Sequence, residues 1–437
     1  METIDSLISA QWIIPVEPVG RVLQQHAVAI RGQRILDILP VAQARRKYHP
    51  EAEHDLPGHA LIPGLINAHT HAAMSLLRGL ADDLPLERWL REHIWPAESR
   101  WVSAEFVHDG TMLAIAEMLR SGTTCFNDMY FFPEVAAHTV GSLGMRAHIG
   151  MIVVDFPTAW ARNADEYITK GLSAVLDAHK DDRLISVGFA PHALYTVSDA
   201  PLERIRTLSE ELGLPVHIHV QETAAEVREH VAAHGCRPLA RLDHLGLVGP
   251  HLLAVHMTQL EDGEIKLLAE RGANVVHCPQ SNLKLASGFC PVARLVDAGV
   301  NVALGTDGAA SNNDLDMWDE MRTAALLAKG VAGRAEALPA AHALRMATFA
   351  GAKALGLERV TGSIEIGKAA DLVAVDLRRI ETQPVYDPIS QLVYATGREC
   401  VTHVWVGGRP QLIEGELIGM DVESLLATAE SWRRRLV

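Results

Sequence analysis

Two histidines two residues apart, His69 and His71, close the run Pro63-Gly64-Leu65-Ile66-Asn67-Ala68-His69-Thr70-His71. On a strand, residues i and i+2 face the same side, so both imidazoles point together. A metal ion needs such converging nitrogen donors, although an HxH pair alone is a weak signal. Three more polar groups end apolar runs in the same way. His219 lies in Val216-His217-Ile218-His219-Val220, His256 closes Ala254-Val255-His256, and Asp307 follows Leu304-Gly305-Thr306. Buried His and Asp are costly unless paired or metal-bound, so their recurrence at strand ends points to one metal site. Glu222 stands three residues after His219. Alone it reads as a helix-start carboxylate favoured by the dipole. Beside a metal ligand it can reach a water and a leaving group together, as general acid–base catalysis requires.

Such convergence requires a scaffold that gathers strand ends. The middle of the chain supplies one. Short apolar runs occur at Leu61–Ile66, Thr123–Met129, Arg146–Val154, Ile185–Ala190, Val216–Val220, Leu252–His256, Ala273–His277 and Val300–Thr306. Helix-like stretches lie between them, among them Ala104–Ser121, Pro201–Leu212, Asp262–Arg271 and Leu315–Lys329. Strands alternating with helices in this number predict an α/β fold, a (β/α)8 TIM-like barrel over residues 61–364, with its site at the C-terminal ends of the strands. Both chain ends read differently. Ser9–Pro15, Ala27–Arg31 and Ile35–Leu39 read as strands, as do Asp371–Asp376 and Thr402–Val406 before the turn Gly407-Gly408. Residues 1–60 and 365–437 are therefore expected to pair into one small β-sandwich domain.

Bulk properties narrow the function classes. A chain of 437 residues, 48% of them apolar, can bury one large barrel and a smaller companion. The net charge of −15 with no basic stripe argues against nucleic acid. No segment approaches the roughly 20 apolar residues of a membrane span. The acidic start Met1-Glu2-Thr3-Ile4-Asp5 is unlike a signal peptide, so a soluble cytoplasmic protein is expected. The five cysteines form no CxxC, which disfavours a disulfide framework or a thiolate cage. Cys278 reads as a strand-end residue, and Cys278-Pro279-Gln280-Ser281 lacks the P-C-x-x-C of cytidine-type zinc deaminases.

The constellation of Pro63–His71, His219, His256 and Gly305-Thr306-Asp307 resembles the amidohydrolase superfamily. The run Gly362–Val373 resembles that superfamily's return into its β-sandwich domain. Two-metal branches place a carboxylated lysine at the end of strand four. Here that strand ends Gly188-Phe189-Ala190-Pro191-His192, with no lysine, which implies a single metal. Residues Met74–Asp83, Trp95-Pro96-Ala97-Glu98, Ala190-Pro191-His192, Ser281–Gly288 and Thr306–Asn313 are similar to the methylthioadenosine/S-adenosylhomocysteine deaminase family. That resemblance implies that Glu98 holds ribose hydroxyls and that His192 contacts substrate. A carboxylate accepting two vicinal hydroxyls is a sound ribose reader. The bland alternatives are a solvated loop residue for Glu98 and a capping group for His192.

The resemblance further implies one divalent ion, zinc before iron, on His69, His71, His219 and Asp307. Asp307 and His256 then position a water and take up its proton, while Glu222 protonates the purine ring nitrogen. The expected substrate is a small purine nucleoside, and a homo-oligomer is expected. The family often meets the carboxylate of S-adenosylhomocysteine with arginines. One such position carries Met151 here, and Arg162 is a second candidate for substrate contact. Loss of one cation favours neutral 5'-methylthioadenosine. Guanine- or s-triazine-type aminohydrolases are the sibling alternatives. A cyclic-amide hydrolase would need two ions, and a non-catalytic binding protein would not need Glu222.

Overall fold

A computed structural model describes residues 1–436. Eight strands carry the catalytic half: β5 (Leu65–Thr70), β6 (Thr123–Tyr130), β7 (Arg146–Val153), β8 (Ile185–Pro191), β9 (Val216–Val220), β10 (Leu252–His256), β11 (Asn274–His277) and β12 (Asn301–Leu304). They pair in chain order and in parallel. Helices cover their outer side, so β6, β7, β9 and β10 are buried along their whole length. Side chains help close the barrel between β12 and β5. Asp307 N–H donates to the His69 carbonyl at 3.0 Å. Thr306 N–H donates to Asn67 Oδ1 at 3.0 Å, and Asn67 Nδ2 donates to Thr306 Oγ1 at 2.7 Å.

Both chain ends build the second sheet. Its strands are β1 (Glu2–Ile13), β2 (Leu23–Arg31), β3 (Arg34–Pro40), β4 (Tyr48–Pro63), β13 (Leu372–Asp376), β14 (Val401–Val406), β15 (Arg409–Ile413) and β16 (Glu416–Leu417). The order is β16-β15-β14-β13-β4-β1-β2-β3, and the antiparallel β4–β13 pair joins the two ends. Ile8, Val28, Leu61, Leu372 and Trp405 from both ends share one core. Among the described residues no helix is long and apolar enough to cross a membrane.

Two expectations are corrected. Leu61–Pro63 were read as the start of the first barrel strand, but they pair in β4 with Leu372–Ala374. The Pro63-Gly64 pair inside that apolar run marks the change of sheet and was read through. Gly64 makes that change possible, because a Cβ there would run into Thr124. The C-terminal end was read as β-rich, yet Val422–Leu436 is a helix. Its one buried residue is Trp432, which packs on Phe106 at 5.2 Å and donates to Asp109 Oδ2 at 2.8 Å. A single anchoring side chain leaves little apolar stripe to read.

A buried ion pair ties the two parts together. Arg146, at the start of β7, donates from Nε to Asp371 Oδ2 at 2.8 Å, and Gly407 N–H donates to Asp371 Oδ1 at 2.7 Å. Both side chains are almost fully buried, at 5% and 0% exposure. Removing one partner strands the other charge in a dry interior. Asp371→Ala is expected to cost about 3–5 kcal/mol in denaturant melts. A loss below about 1 kcal/mol would mean that water reaches Arg146.

Candidate metal and active site

The polar groups meet at the C-terminal mouth of the barrel, above β5, β9, β10 and β12. His69 Nε2 lies 3.1 Å from Asp307 Oδ1 and 3.2 Å from His219 Nε2. His71 Nε2 lies 3.2 Å from the same Asp307 oxygen. An ion at roughly 2.0–2.1 Å from each donor spaces neighbouring donors by roughly 2.9–3.4 Å, for ligand angles of about 90–109°. The three observed spacings fit the edges of one such coordination shell. His256 also comes close, since donor atoms of His69, His219, His256 and Asp307 all lie within 4.8 Å of one another.

Each ring is held by its other nitrogen. His71 Nδ1 meets the Met129 carbonyl at 2.6 Å, His219 Nδ1 the His192 carbonyl at 2.7 Å, and His256 Nδ1 meets Asn282 Oδ1 at 2.9 Å. A carbonyl can only accept, so Nδ1 of His71 and of His219 carries a proton and Nε2 is the nitrogen turned toward the site. Burial pushes His69 down to about 4, and burial followed by neighbouring His69 holds His219 well below its usual value. Neutral rings are what a metal requires. Burial alone would raise Asp307, but hydrogen bonds and charge from His69 and His71 outweigh it and hold the carboxyl well below its usual range. Its Oδ2 accepts from Ser281 Oγ at 2.6 Å and Ser311 Oγ at 2.7 Å. His256 and Asp307 have φ of 73° and 64°, and Gln221, beside Glu222, has 52°. Left-handed backbone at three strand ends is a strain that such sites store.

Glu222 is buried, with Oε2 3.7 Å from His256 Nε2 and Oε1 accepting from Ser287 Oγ at 3.3 Å. Burial raises its pKa, with the Asp307 charge adding to the rise. Its backbone N–H donates to Glu226 Oε2 at 2.7 Å, and Glu226 also closes the capping box with Thr223 that starts helix Ala224–His234. The helix start therefore fixes Glu222 without consuming its carboxylate.

A cavity of about 640 Å³ opens above these groups. His71, His192, His219, Glu222, His256 and Asp307 line its floor, and Glu98 is the other carboxylate on its wall. Glu98 sits on helix Trp95–Trp101 and accepts from Tyr130 OH at 2.8 Å. It is accessible from the cavity but enclosed by protein, and burial pushes its pKa up to about 7. The reading of Glu98 as a solvated loop residue does not fit this position. His192 Nδ1 meets Thr196 Oγ1 at 3.0 Å, and its ring stands 4.9 Å from that of His219. Among the described residues no Lys or Arg lines the cavity.

Two positions fall elsewhere. Arg162 does not line the cavity; its side chain is 83% exposed and pairs with Glu166 at 2.7 Å. Met151 is buried against Gly171, whereas Ile152 on β7 and Val154 just beyond it face the cavity. Strand alternation decides this, since residues on either side of Met151 point the other way. His217 was passed over. Its Nε2 lies 2.9 Å from His69 Nδ1, so it backs a candidate ligand. The i, i+2 spacing to His219 carried that signal.

The Amidohydrolase family profile matches residues 60–410, and the chain belongs to that family. A 5-methylthioadenosine/S-adenosylhomocysteine deaminase of Saccharophagus degradans is 51% identical over 432 residues, covering 99% of this chain and 97% of the relative. The corresponding protein of Teredinibacter turnerae is 52% identical over 434 residues, covering 99% and 98%. A crystal structure of an adenosine deaminase from Xanthomonas campestris with bound zinc superimposes with a TM-score of 0.98 at 56% identity. It covers 100% of this chain and 99% of that one.

Proposed function

We propose that the protein hydrolyses the 6-amino group of 5'-methylthioadenosine, giving the inosine analogue and ammonia. The observation that carries this reading is one cavity with a metal-type donor set and Glu222 at its floor, Glu98 on its wall and no lining cation. A 5'-thioether is neutral and needs no cation, whereas the amino-acid tail of S-adenosylhomocysteine would leave a carboxylate unpaired. Ammonia release from methylthioadenosine, adenosine, S-adenosylhomocysteine, guanine and dihydroorotate tests it. Fast turnover of methylthioadenosine is expected; turnover of guanine alone would discard the riboside reading.

His69, His71, His219 and Asp307 would hold one divalent ion, zinc by preference. When bound, it supplies the Lewis acidity that makes a water nucleophilic near neutral pH. The purine C6 sits over this floor. His256 Nε2, held by Asn282, accepts the proton of the attacking water, with Asp307 orienting it. Glu222, whose pKa burial raises, donates to the ring nitrogen and then relays a proton to the departing amine. His192 packs beside His219 and bounds the base.

Glu98 reads the ribose. Hydrogen bonds to a charged acceptor are worth about 1.5–3 kcal/mol, so Glu98→Ala is expected to lower kcat/KM for methylthioadenosine about 10- to 100-fold. The loss should shrink for the 2',3'-dideoxy analogue, and equal losses on both would remove Glu98 from ribose recognition. We also propose a homo-oligomer, as the family resemblance implies. A light-scattering mass of one chain would reject it.

A further inference from the structure

The three side chains assigned to proton handling come from different strands: Glu222 after β9, His256 from β10 and Asp307 after β12. One short segment touches all three. It follows β11, a strand that gives the donor set no ligand, and runs through helix Pro279–Lys284 to Ser287. Ser281 Oγ donates to Asp307 Oδ2 at 2.6 Å, Asn282 Oδ1 meets His256 Nδ1 at 2.9 Å, and Ser287 Oγ donates to Glu222 Oε1 at 3.3 Å. All three residues of the segment are buried.

We infer that Ser281, Asn282 and Ser287 form a brace that holds the three proton-handling side chains in mutual register. The inference rests on the proton roles assigned above. Each contact has a distinct consequence. Ser281, with Ser311, occupies Asp307 Oδ2 and so turns Oδ1 toward His69 and His71. Asn282 accepts the Nδ1 proton of His256, which leaves the Nε2 lone pair facing Glu222. Asn282 Nδ2 has no partner among the described residues, so its amide serves this one bond. Ser287 leaves Glu222 Oε2 free for substrate.

The brace is itself anchored to the segments that follow β9 and β10. The Ser287 carbonyl accepts from Gln259 Nε2 at 3.0 Å and from Thr258 Oγ1 at 3.3 Å, and Thr258 Oγ1 also approaches the Glu222 carbonyl at 2.6 Å. Gly288 permits the approach: its φ is +135°, and a Cβ there would come 2.9 Å from Thr258 Oγ1. These are positioning residues, because each acts through a neighbour.

The test compares Ser281→Ala, Asn282→Leu and Ser287→Ala with Ser281→Thr in the zinc-loaded enzyme. It reads kcat and KM on methylthioadenosine, zinc affinity by competition with a chromophoric chelator, and Tm. Outer partners of catalytic sites are worth about 10–100-fold. Asn282→Leu is expected to lower kcat by about that factor, with KM and zinc affinity unchanged, because His256 lies outside the short donor edges. Ser281→Ala should lower both kcat and zinc affinity about tenfold, and Ser281→Thr should recover them. Asn282→Leu should add no further loss in a His256→Ala background, as expected of two residues acting as one unit. Should Asn282→Leu not fold, the two serine variants carry the same comparison. Wild-type kcat in the brace variants beside an inactive Glu222→Gln overturns the brace and spares the mechanism. An active Glu222→Gln overturns both.

Discussion

Glu222→Gln is expected to keep the fold and the bound zinc while lowering kcat on methylthioadenosine about 10³- to 10⁴-fold. General acid–base catalysis contributes about 10²–10⁴-fold, and Glu222 is assigned two proton transfers in one turnover. The substitution keeps the side-chain shape and can still hydrogen-bond Ser287, which lies 3.3 Å from Oε1. It removes only the exchangeable proton. Burial disfavours the carboxylate here and raises the pKa of the acid that must donate to the ring nitrogen. His256, 3.7 Å away, is too far for a direct hydrogen bond and cannot replace the donor without moving. A Gln variant turning over within tenfold of wild type, with full zinc content, would falsify the assignment.

What the sequence disclosed follows from where its periodicity was clean. His69, His71, His219, His256 and Asp307 were legible because each ends an apolar run, and barrel geometry turns strand ends toward one mouth. Leu61–Pro63 were misread because apolar residues flank Pro63-Gly64 on both sides, so the breaker was taken as interior to one strand rather than as the handover between two sheets. Glu98 needed the resemblance: its partner Tyr130 lies 32 residues away, and only folding brings them to 2.8 Å. Ser281 and Asn282 were visible only as part of a family-like run. Serine and asparagine are common in loops, and their contacts with Asp307 and His256 each span 26 residues. Met151 and Arg162 show the opposite failure. A comparison of positions suggested a missing and a remaining cation, whereas strand alternation buries Met151 and an i,i+4 pair with Glu166 keeps Arg162 at the surface. The cavity does lack a lining cation, but Met151 is not the reason.

Stripping the metal with a chelator is expected to abolish turnover and lower Tm, with both restored by zinc. An ion that binds only the folded chain stabilises it by RT ln(1 + [L]/Kd), about 4 kcal/mol at a thousandfold excess over Kd. The pH dependence of this affinity has a definite sign. Without metal, burial opposes a proton on His71, but hydrogen bonding and charge from Asp307 outweigh burial and raise its pKa to about 9. His69 is pushed down to about 4, so it stays neutral at pH 7. A metal must therefore displace about one proton, the one shared between His71 and Asp307, whenever the pH lies below about 9. Zinc affinity should rise about tenfold per pH unit between about pH 7 and 8.5 and level off above about 9. Chelator competition across that range measures it. A flat profile would show that His71 carries no proton in the metal-free site, and full turnover after stripping would remove the metal from the reaction.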